Sequence, residues 1–259
     1  MKGRNITYNR HSRILDLLKE RGSVTVDDLA EELDVSSVTV RRDLDILDRR
    51  GFLTRTHGGA KPLRARMEAM PERMFSEKDG LYVAEKQKIA ERATQLIGDD
   101  EIVFMNSGST VLFFLRALRN KRIRIITNNA AALQCERDRL VELMILGGEY
   151  RQESRSLVGE IPLKIIQDIF STHTILGTNG LDLERGLTTS VYQECSINKA
   201  MINNTHGKVI VLADHTKMGF VSNFVSASLD RINIVITDEK CPPLIRSALE
   251  KRGIEVILA

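Results

Sequence analysis

Asp34-Val35-Ser36-Ser37-Val38-Thr39-Val40-Arg41-Arg42-Asp43-Leu44-Asp45-Ile46-Leu47-Asp48-Arg49 decides how the first sixty residues fold. Wound at the helical period, Val40, Leu44 and Leu47 fall on one face at i, i+4 and i+7. The opposite face presents Val38, Arg42, Asp45 and Arg49, with Thr39 and Arg41 at its flanks. Ser36 stands where a hydroxyl caps a helix, and Gly51 where a glycine closes one. Asp34-Val35-Ser36 is then a short turn from an earlier helix. That helix follows Thr25, with Asp28 three residues on as in a capping box, and turns Val26, Leu29, Ala30 and Leu33 inward. Before it, Arg10–Arg21 carries Ile14, Leu15, Leu17 and Leu18 on or near one face and stops at Gly22. After the third helix, Phe52–Thr56 and His57-Gly58-Gly59-Ala60 read as a two-stranded hairpin. Three helices and a hairpin in this order predict a winged helix-turn-helix.

The chemistry of the outward face matches double-stranded DNA. An arginine fork fits guanine O6 and N7 or a phosphate, so Arg41, Arg42 and Arg49 are candidate contacts. Val38 can meet a thymine methyl, and Ser37 and Thr39 near the helix start suit phosphate or base-edge hydrogen bonds. Arg55 and His57 extend the surface onto the hairpin. Charge is sorted accordingly: residues 36–66 hold eight basic and three acidic side chains, whereas residues 16–34 hold two and seven. A solvated charged face on a structural three-helix domain is the plain alternative. A single winged helix reaches few bases, so a homodimer or larger homo-oligomer is expected.

Beyond residue 62 the pattern changes. Residues 63–80, with Pro71, lack an apolar period and read as a linker between a 1–62 DNA-binding domain and an 81–259 domain. In the latter, strand candidates Ile102–Met105, Ile123–Thr127, Glu142–Leu146, Thr174–Leu176, Val209–Ala213, Ile232–Thr237 and Ile254–Leu258 alternate with helical stretches Glu85–Ile97, Thr110–Leu118, Ile161–Ile169, Glu194–Asn203 and Leu244–Lys251. Such alternation predicts an α/β fold with a mainly parallel sheet covered on both faces. Turns rich in glycine and hydroxyls sit at the expected strand ends, where open α/β sheets bind ligands. The clearest is Asn106-Ser107-Gly108-Ser109-Thr110, whose small residues and helix N–H groups can hold a phosphate. Alone it is equally an ordinary helix cap. Thr127-Asn128, Gly147-Gly148, Asn179, and Gly186 with Thr188 end other strands in the same style.

Val35 to Leu44, Leu47, Gly51 and Arg55-Thr56-His57-Gly58-Gly59-Ala60 resemble the N-terminal signature of DeoR-type bacterial regulators, and the likeness runs on through nearly the whole chain. The resemblance implies a repressor of carbohydrate-utilisation genes whose C-terminal domain is similar in fold to ribose-5-phosphate isomerase and binds a phosphorylated sugar effector. It implies that the Ser107–Thr110 turn holds the phosphate, that Glu194 and Lys199 match a Glu…Lys pattern, and that Lys217 is a further basic position. From the residues themselves, Glu194 and Lys199 are as readily a surface ion pair. Two departures matter. Asn106 and Asn179 stand where the family often has Asp, which removes negative charge and favours a more anionic ligand such as a phosphorylated sugar acid.

The competing reading is a sugar-phosphate isomerase-like enzyme fused to a DNA-binding module. It needs a titratable carboxylate at the reacting carbon, which those two asparagines do not supply. A nucleic-acid-binding protein without a ligand leaves the strand-end turns without a purpose. No catalytic residue, cofactor or metal is expected: His173, His206 and His215 lack ligand spacing. Cys135, Cys195 and Cys241 are too scattered for a disulfide framework. Residues 1–12 are polar and basic rather than a signal peptide, and no apolar run is long enough for a membrane. The expected compartment is the cytoplasm.

Overall fold

The computed structural model describes residues 2–49, 53–62 and 74–259, and among these the side chains of 2–9, Ser12, Lys19, Arg49 and Pro62 are left aside. The chain divides into two compact units, Met1–Arg66 and Met67–Ala259. In the first, helix α1 spans Lys2–Arg21, longer than its apolar stripe requires. Gly22, at φ 70°, ends it. Strand β1 (Val24–Thr25), helix α2 (Val26–Glu32) and helix α3 (Ser37–Arg49) follow. Thr25 Oγ1 accepts the Asp28 N–H at 3.1 Å and so caps α2. Strands β2 (Leu53–Thr56) and β3 (Gly59–Pro62) complete a small antiparallel sheet in the order β1-β3-β2. Gly51 and Phe52 fall outside the described residues. Gly59 is a glycine for a steric reason: a Cβ there would lie 1.9 Å from the Val24 carbonyl oxygen. The core is the expected stripe of Ile14, Leu17, Leu18, Val26, Leu29, Val40, Leu44 and Leu47, closed by Leu53 and Ala60.

One charged residue joins that core. Asp43 is buried, its carboxylate taking Arg10 Nη2 at 3.0 Å and His11 Nε2 at 2.9 Å, with Arg10 Nε on its other oxygen. Burial pushes the Asp43 carboxyl up, but the hydrogen bonds and charge from Arg10 and His11 outweigh it and hold its pKa below the ordinary value. The cluster pins α1 to α3 by a directed contact, in addition to non-directional apolar burial.

In the second unit, helices α4 (Phe75–Gly80) and α5 (Val83–Thr94) precede strand β4 (Ile102–Met105), helix α6 (Ser109–Ala117), and strands β5 (Ile123–Thr127) and β6 (Val141–Ile145). Hairpin strands β7 (Glu149–Arg151) and β8 (Ser156–Val158) lead to helix α7 (Glu160–Gln167) and strand β9 (His173–Gly177). Strands β10 (Gly180–Asp182) and β11 (Gly186–Thr189), helix α8 (Tyr192–Asn203), and strands β12 (Val209–Leu212), β13 (Phe224–Ala227) and β14 (Ile234–Thr237) follow, with helix α9 (Pro243–Glu250) and strand β15 (Glu255–Leu258) last. Seven strands form one parallel sheet in the order β15-β14-β12-β9-β4-β5-β6. They are the seven expected from the apolar runs, shifted by a residue or two at their ends. Along β4 the faces alternate. Val103 and Met105 pack with Ile89, Ala93, Phe114 and Leu115 of α5 and α6, whereas Phe104 packs with Ile166, Ile197 and Met201 of α7 and α8. Of the expected linker, residues 63–73 lie outside the described residues, and Phe75–Gly80 is a helix within the second unit.

The Asp43 cluster gives a pH-dependent test. Asp43→Asn leaves Arg10 and His11 without their carboxylate, and breaking a buried pair costs roughly 3–5 kcal/mol. The low end is expected, because Arg10 is partly exposed. Since the folded pKa is lowered, this stability is present above the ordinary carboxylate value of 3.8 and is lost as pH falls through the lower folded value. Hydrogen exchange of α3 amides in the full chain, wild type against Asp43→Asn between pH 7 and pH 3, checks both the size and the direction.

Candidate functional site

Two surfaces concentrate the chemistry, one in each unit. In the first, Ser36 Oγ accepts the Thr39 N–H at 3.2 Å and meets the Thr39 hydroxyl at 2.8 Å, which caps α3. The first turn of α3 holds no acidic residue, so its N-terminal partial charge is left for an external anion. Val38 is 72% exposed, an apolar side chain held out in water at the helix start. Arg41 and Arg42 are exposed, Ser37 and Thr39 are half-buried, and His57 is exposed in the β2–β3 turn. The Arg49 side chain lies outside the described residues. Arg55 sits differently from a free wing residue. Its guanidinium Nη1 donates to Asp45 Oδ1 at 2.5 Å and its N–H donates to Asp48 Oδ1 at 3.1 Å, so the hairpin is tied to α3.

In the second unit, a cavity of about 240 Å³ opens at the C-terminal ends of β4 and β9. The β4–α6 turn forms its floor. Gly108 takes φ 145° at the start of α6, a conformation reserved for glycine, and its carbonyl accepts Asn129 Nδ2 at 3.1 Å. Of the residues expected at a phosphosugar site, Asn106, Ser107, Gly108, Ser109, Thr110, Asn179, Glu194 and Lys217 line this cavity. Glu194 is buried and accepts the Ser156 hydroxyl at 2.9 Å, while Asn179 Oδ1 accepts the Thr189 hydroxyl at 3.0 Å.

The others lie elsewhere. Thr127 caps its own turn by accepting the Asn129 N–H, and Asn128 Nδ2 holds the Leu157 carbonyl on β8. Gly147 and Gly148 make the exposed turn into β7, where a Cβ on Gly148 would strike the Val158 carbonyl oxygen at 2.4 Å. A Cβ on Gly186 would strike the Ala227 carbonyl oxygen at 2.1 Å, and Thr188 donates its hydroxyl to the Gly180 carbonyl. Lys199 is exposed: five residues past Glu194 is about 140° around a helix, so Asn198 at i+4 shares the Glu194 face and lines the cavity instead.

Several lining residues carry chemistry the sequence reading passed over. Lys86 on α5 is buried, donating from Nζ to Ser109 Oγ at 3.0 Å and to the Lys78 carbonyl. Burial lowers its pKa to about 8, with Asp214 pulling it back up and Lys217 pushing it further down. The signal was available, since Lys86 shares an apolar stripe with Ile89, Ala90 and Ala93. Asp214 gives one oxygen to the Thr216 N–H at 3.0 Å and has its other oxygen buried without a hydrogen-bond partner. Tyr82 and Ser154 also reach the cavity. A buried ammonium, a hydroxyl-lined turn at a helix start with no side-chain cap, and one unfilled carboxylate oxygen on Asp214 suit a ligand with an anionic group and several hydroxyls.

Residues 10–65 match the model of the DeoR-like helix-turn-helix domain, and residues 82–239 that of the DeoR C terminal sensor domain. The chain is 31% identical over 252 residues to the HTH-type transcriptional repressor CsqR of Escherichia coli (strain K12), covering 96% of this chain and 94% of that protein. It is 32% identical over 257 residues to a putative aga operon transcriptional repressor of Escherichia coli O157:H7, covering 97% and 94%. A third relative, the glycerol-3-phosphate regulon repressor of Escherichia coli (strain K12), is 29% identical and covers 96% and 98%. Among solved structures, ribose 5-phosphate isomerase A from Methanocaldococcus jannaschii aligns at TM-score 0.37 and 19% identity over 51% of this chain and 53% of that one.

Lys86 sets a measurable pH dependence. In the unfolded chain a lysine titrates near 10.5, and in this fold at about 8. Between those values the unfolded chain holds a proton that the folded one has released, so stability rises with pH across that window. Urea unfolding of the full chain from pH 7 to pH 10 should show this rise in wild type, and Lys86→Met should flatten it.

Proposed function

The chain belongs to the DeoR family of transcriptional regulators, and we propose that it represses carbohydrate-utilisation genes by binding operator DNA through the first unit and a phosphorylated sugar or sugar acid through the second. The buried Lys86 ammonium facing the Ser107–Thr110 turn carries the effector reading. A desolvated cation is costly alone and is relieved by an anion beside it. The unpartnered Asp214 oxygen and Glu194 add acceptors for sugar hydroxyls. Ser37, Val38, Thr39, Arg41 and Arg42 form the base- and phosphate-facing surface in this reading, with His57 on the wing and Arg55 bracing it.

The effector is bound and returned unchanged. Asn106 and Asn179 put amides where proton shuttling would call for carboxylates. Titration calorimetry with phosphorylated and unphosphorylated sugars, followed by recovery of the ligand and its NMR spectrum, tests both statements. Tight binding of an unphosphorylated sugar would overturn the anion site, and a converted ligand would overturn the sensor reading.

Two substitutions probe the assignments. Arg42→Ala should lose about 1–3 kcal/mol of discrimination between operator and random duplex, whereas Arg55→Ala should weaken binding to both and spare the ratio; affinities at several salt concentrations separate the two. Gly108→Val forces a branched side chain to φ 145° and disrupts the anion turn. It should abolish release by the effector while leaving operator binding intact, read as an operator complex that persists at effector concentrations that dissociate wild type.

A further inference from the structure

Lys86 makes a bond that effector binding alone does not explain. Its Nζ holds the Lys78 main-chain carbonyl, in the last turn of α4, at the same time as Ser109 Oγ in the anion turn. Ser109 Oγ itself lies 3.4 Å from that carbonyl. One ammonium therefore joins the floor of the cavity to a helix in its wall. Helix α4 has six residues and is short for autonomous stability. Among its other ties are the Phe75 N–H on the Glu153 carbonyl at 2.7 Å, the buried Phe75 ring with the Arg155 guanidinium 5.2 Å from its centroid, and a 3.9 Å ion pair between Asp79 and Arg116. Between α4 and α5, Tyr82 sits at φ 52°, ψ 42°, a left-handed conformation that costs a non-glycine residue energy. Its ring rests edge-on against His215 at 5.4 Å.

Resting on the reading of Ser107–Thr110 as the anion turn, we propose that Lys86 is the specificity-determining switch of this site: a phosphate seated on the turn draws the ammonium off the Lys78 carbonyl, and α4 is released. A phosphate oxygen is a far stronger acceptor for an ammonium than a neutral carbonyl is. Burial keeps the amine near its titration point, so a neighbouring anion also restores its full charge. A neutral sugar offers neither inducement and leaves the clamp closed. The two states of α4 thus differ in the Lys86–Lys78 bond, which an anionic ligand exchanges for its own, and that is the differential contact a ligand-driven shift requires. Helix α4 is the first described element of the second unit in chain order.

Hydrogen exchange on the full-length protein, with inorganic phosphate against sodium chloride of equal ionic strength, tests this. In wild type, phosphate should slow the amides of Ser107–Thr110. The hydrogen-bonded amides of Phe75, Glu77, Lys78 and Leu81 should exchange roughly tenfold faster, the loss expected from one charge-assisted bond. In Lys86→Met, α4 should exchange fast from the start and ignore phosphate. Ser109→Ala, which keeps the Lys86–Lys78 bond, should retain slow α4 exchange without phosphate. Protection of the turn with α4 unchanged or slowed in wild type overturns the switch and leaves the anion site standing. An unprotected turn overturns the site reading and the switch with it. If Lys86→Met fails to fold, wild type and Ser109→Ala still decide.

Discussion

A parallel sheet carries the C-terminal ends of all its strands on one edge, and the placement of the cavity in this molecule follows from that constraint. Each strand needs a crossover back to the other edge before the next can begin. The turns that leave β4, β9 and β12 therefore gather along one rim, although residues 106, 177 and 214 are far apart in the chain. Each turn then needs only small or hydroxyl-bearing residues for a ligand-sized space to remain. Helices α5 and α8 close the sides, because the side chains that cover the two faces of the sheet must come from opposite flanks. Lys86 and Glu194 enter the cavity from those two helices, one cationic and one acidic.

Asn106 shows how a charge change at such a rim is absorbed. Its amide nitrogen donates to the Gly177 carbonyl and to Asn198 Oδ1, both at 3.0 Å, while its oxygen accepts the Gly177 N–H at 2.8 Å. An ionised carboxylate could accept the last bond but could make neither of the first two. Asn106 is thus fitted to its partners as an amide, locking β4 to β9 and to α8. The missing negative charge is a property of the whole network rather than of one side chain. Asn198 extends it by donating to Ser226 on β13.

Long apolar runs made most of this architecture legible. The stripes of α1, α2 and α3 and the seven β runs each announce their buried faces through periodicity, and the structure keeps them within a residue or two, apart from the longer start of α1. The antiparallel pieces β7–β8 and β10–β11–β13 were not visible. They are three or four residues long, too short to show a period; β7–β8 and β10–β11 are local hairpins, while β13 reaches β11 through contacts such as Leu187 against Ala227 that lie far away in sequence. The cavity was half legible for the same reason. Residues beside the Ser107–Thr110 turn could be found from local chemistry, but Lys86, Ser154 and Asp214 become neighbours only through the fold. Lys199 failed as a neighbour of Glu194 because helical geometry pairs i with i+4, and Asn198 holds that place. Asp43 was hidden by its type: a carboxylate on a buried face reads as exposed until Arg10 and His11 are seen to meet it.

The tie between Arg55 and α3 has a consequence for the geometry of a bound duplex. Because the hairpin is bonded to Asp45 and Asp48 on the helix that would enter the major groove, the spacing between helix and hairpin tip is a fixed length within the unit. A duplex can satisfy both elements only if its own groove width matches that length. One that is too narrow or too wide must be deformed to fit, or must break an ion pair in the protein, and either cost depends on how stiff that stretch of base pairs is. In the proposed mode of binding the first unit would thus act as a caliper as well as a reader, responding to the stiffness of base pairs that no side chain touches.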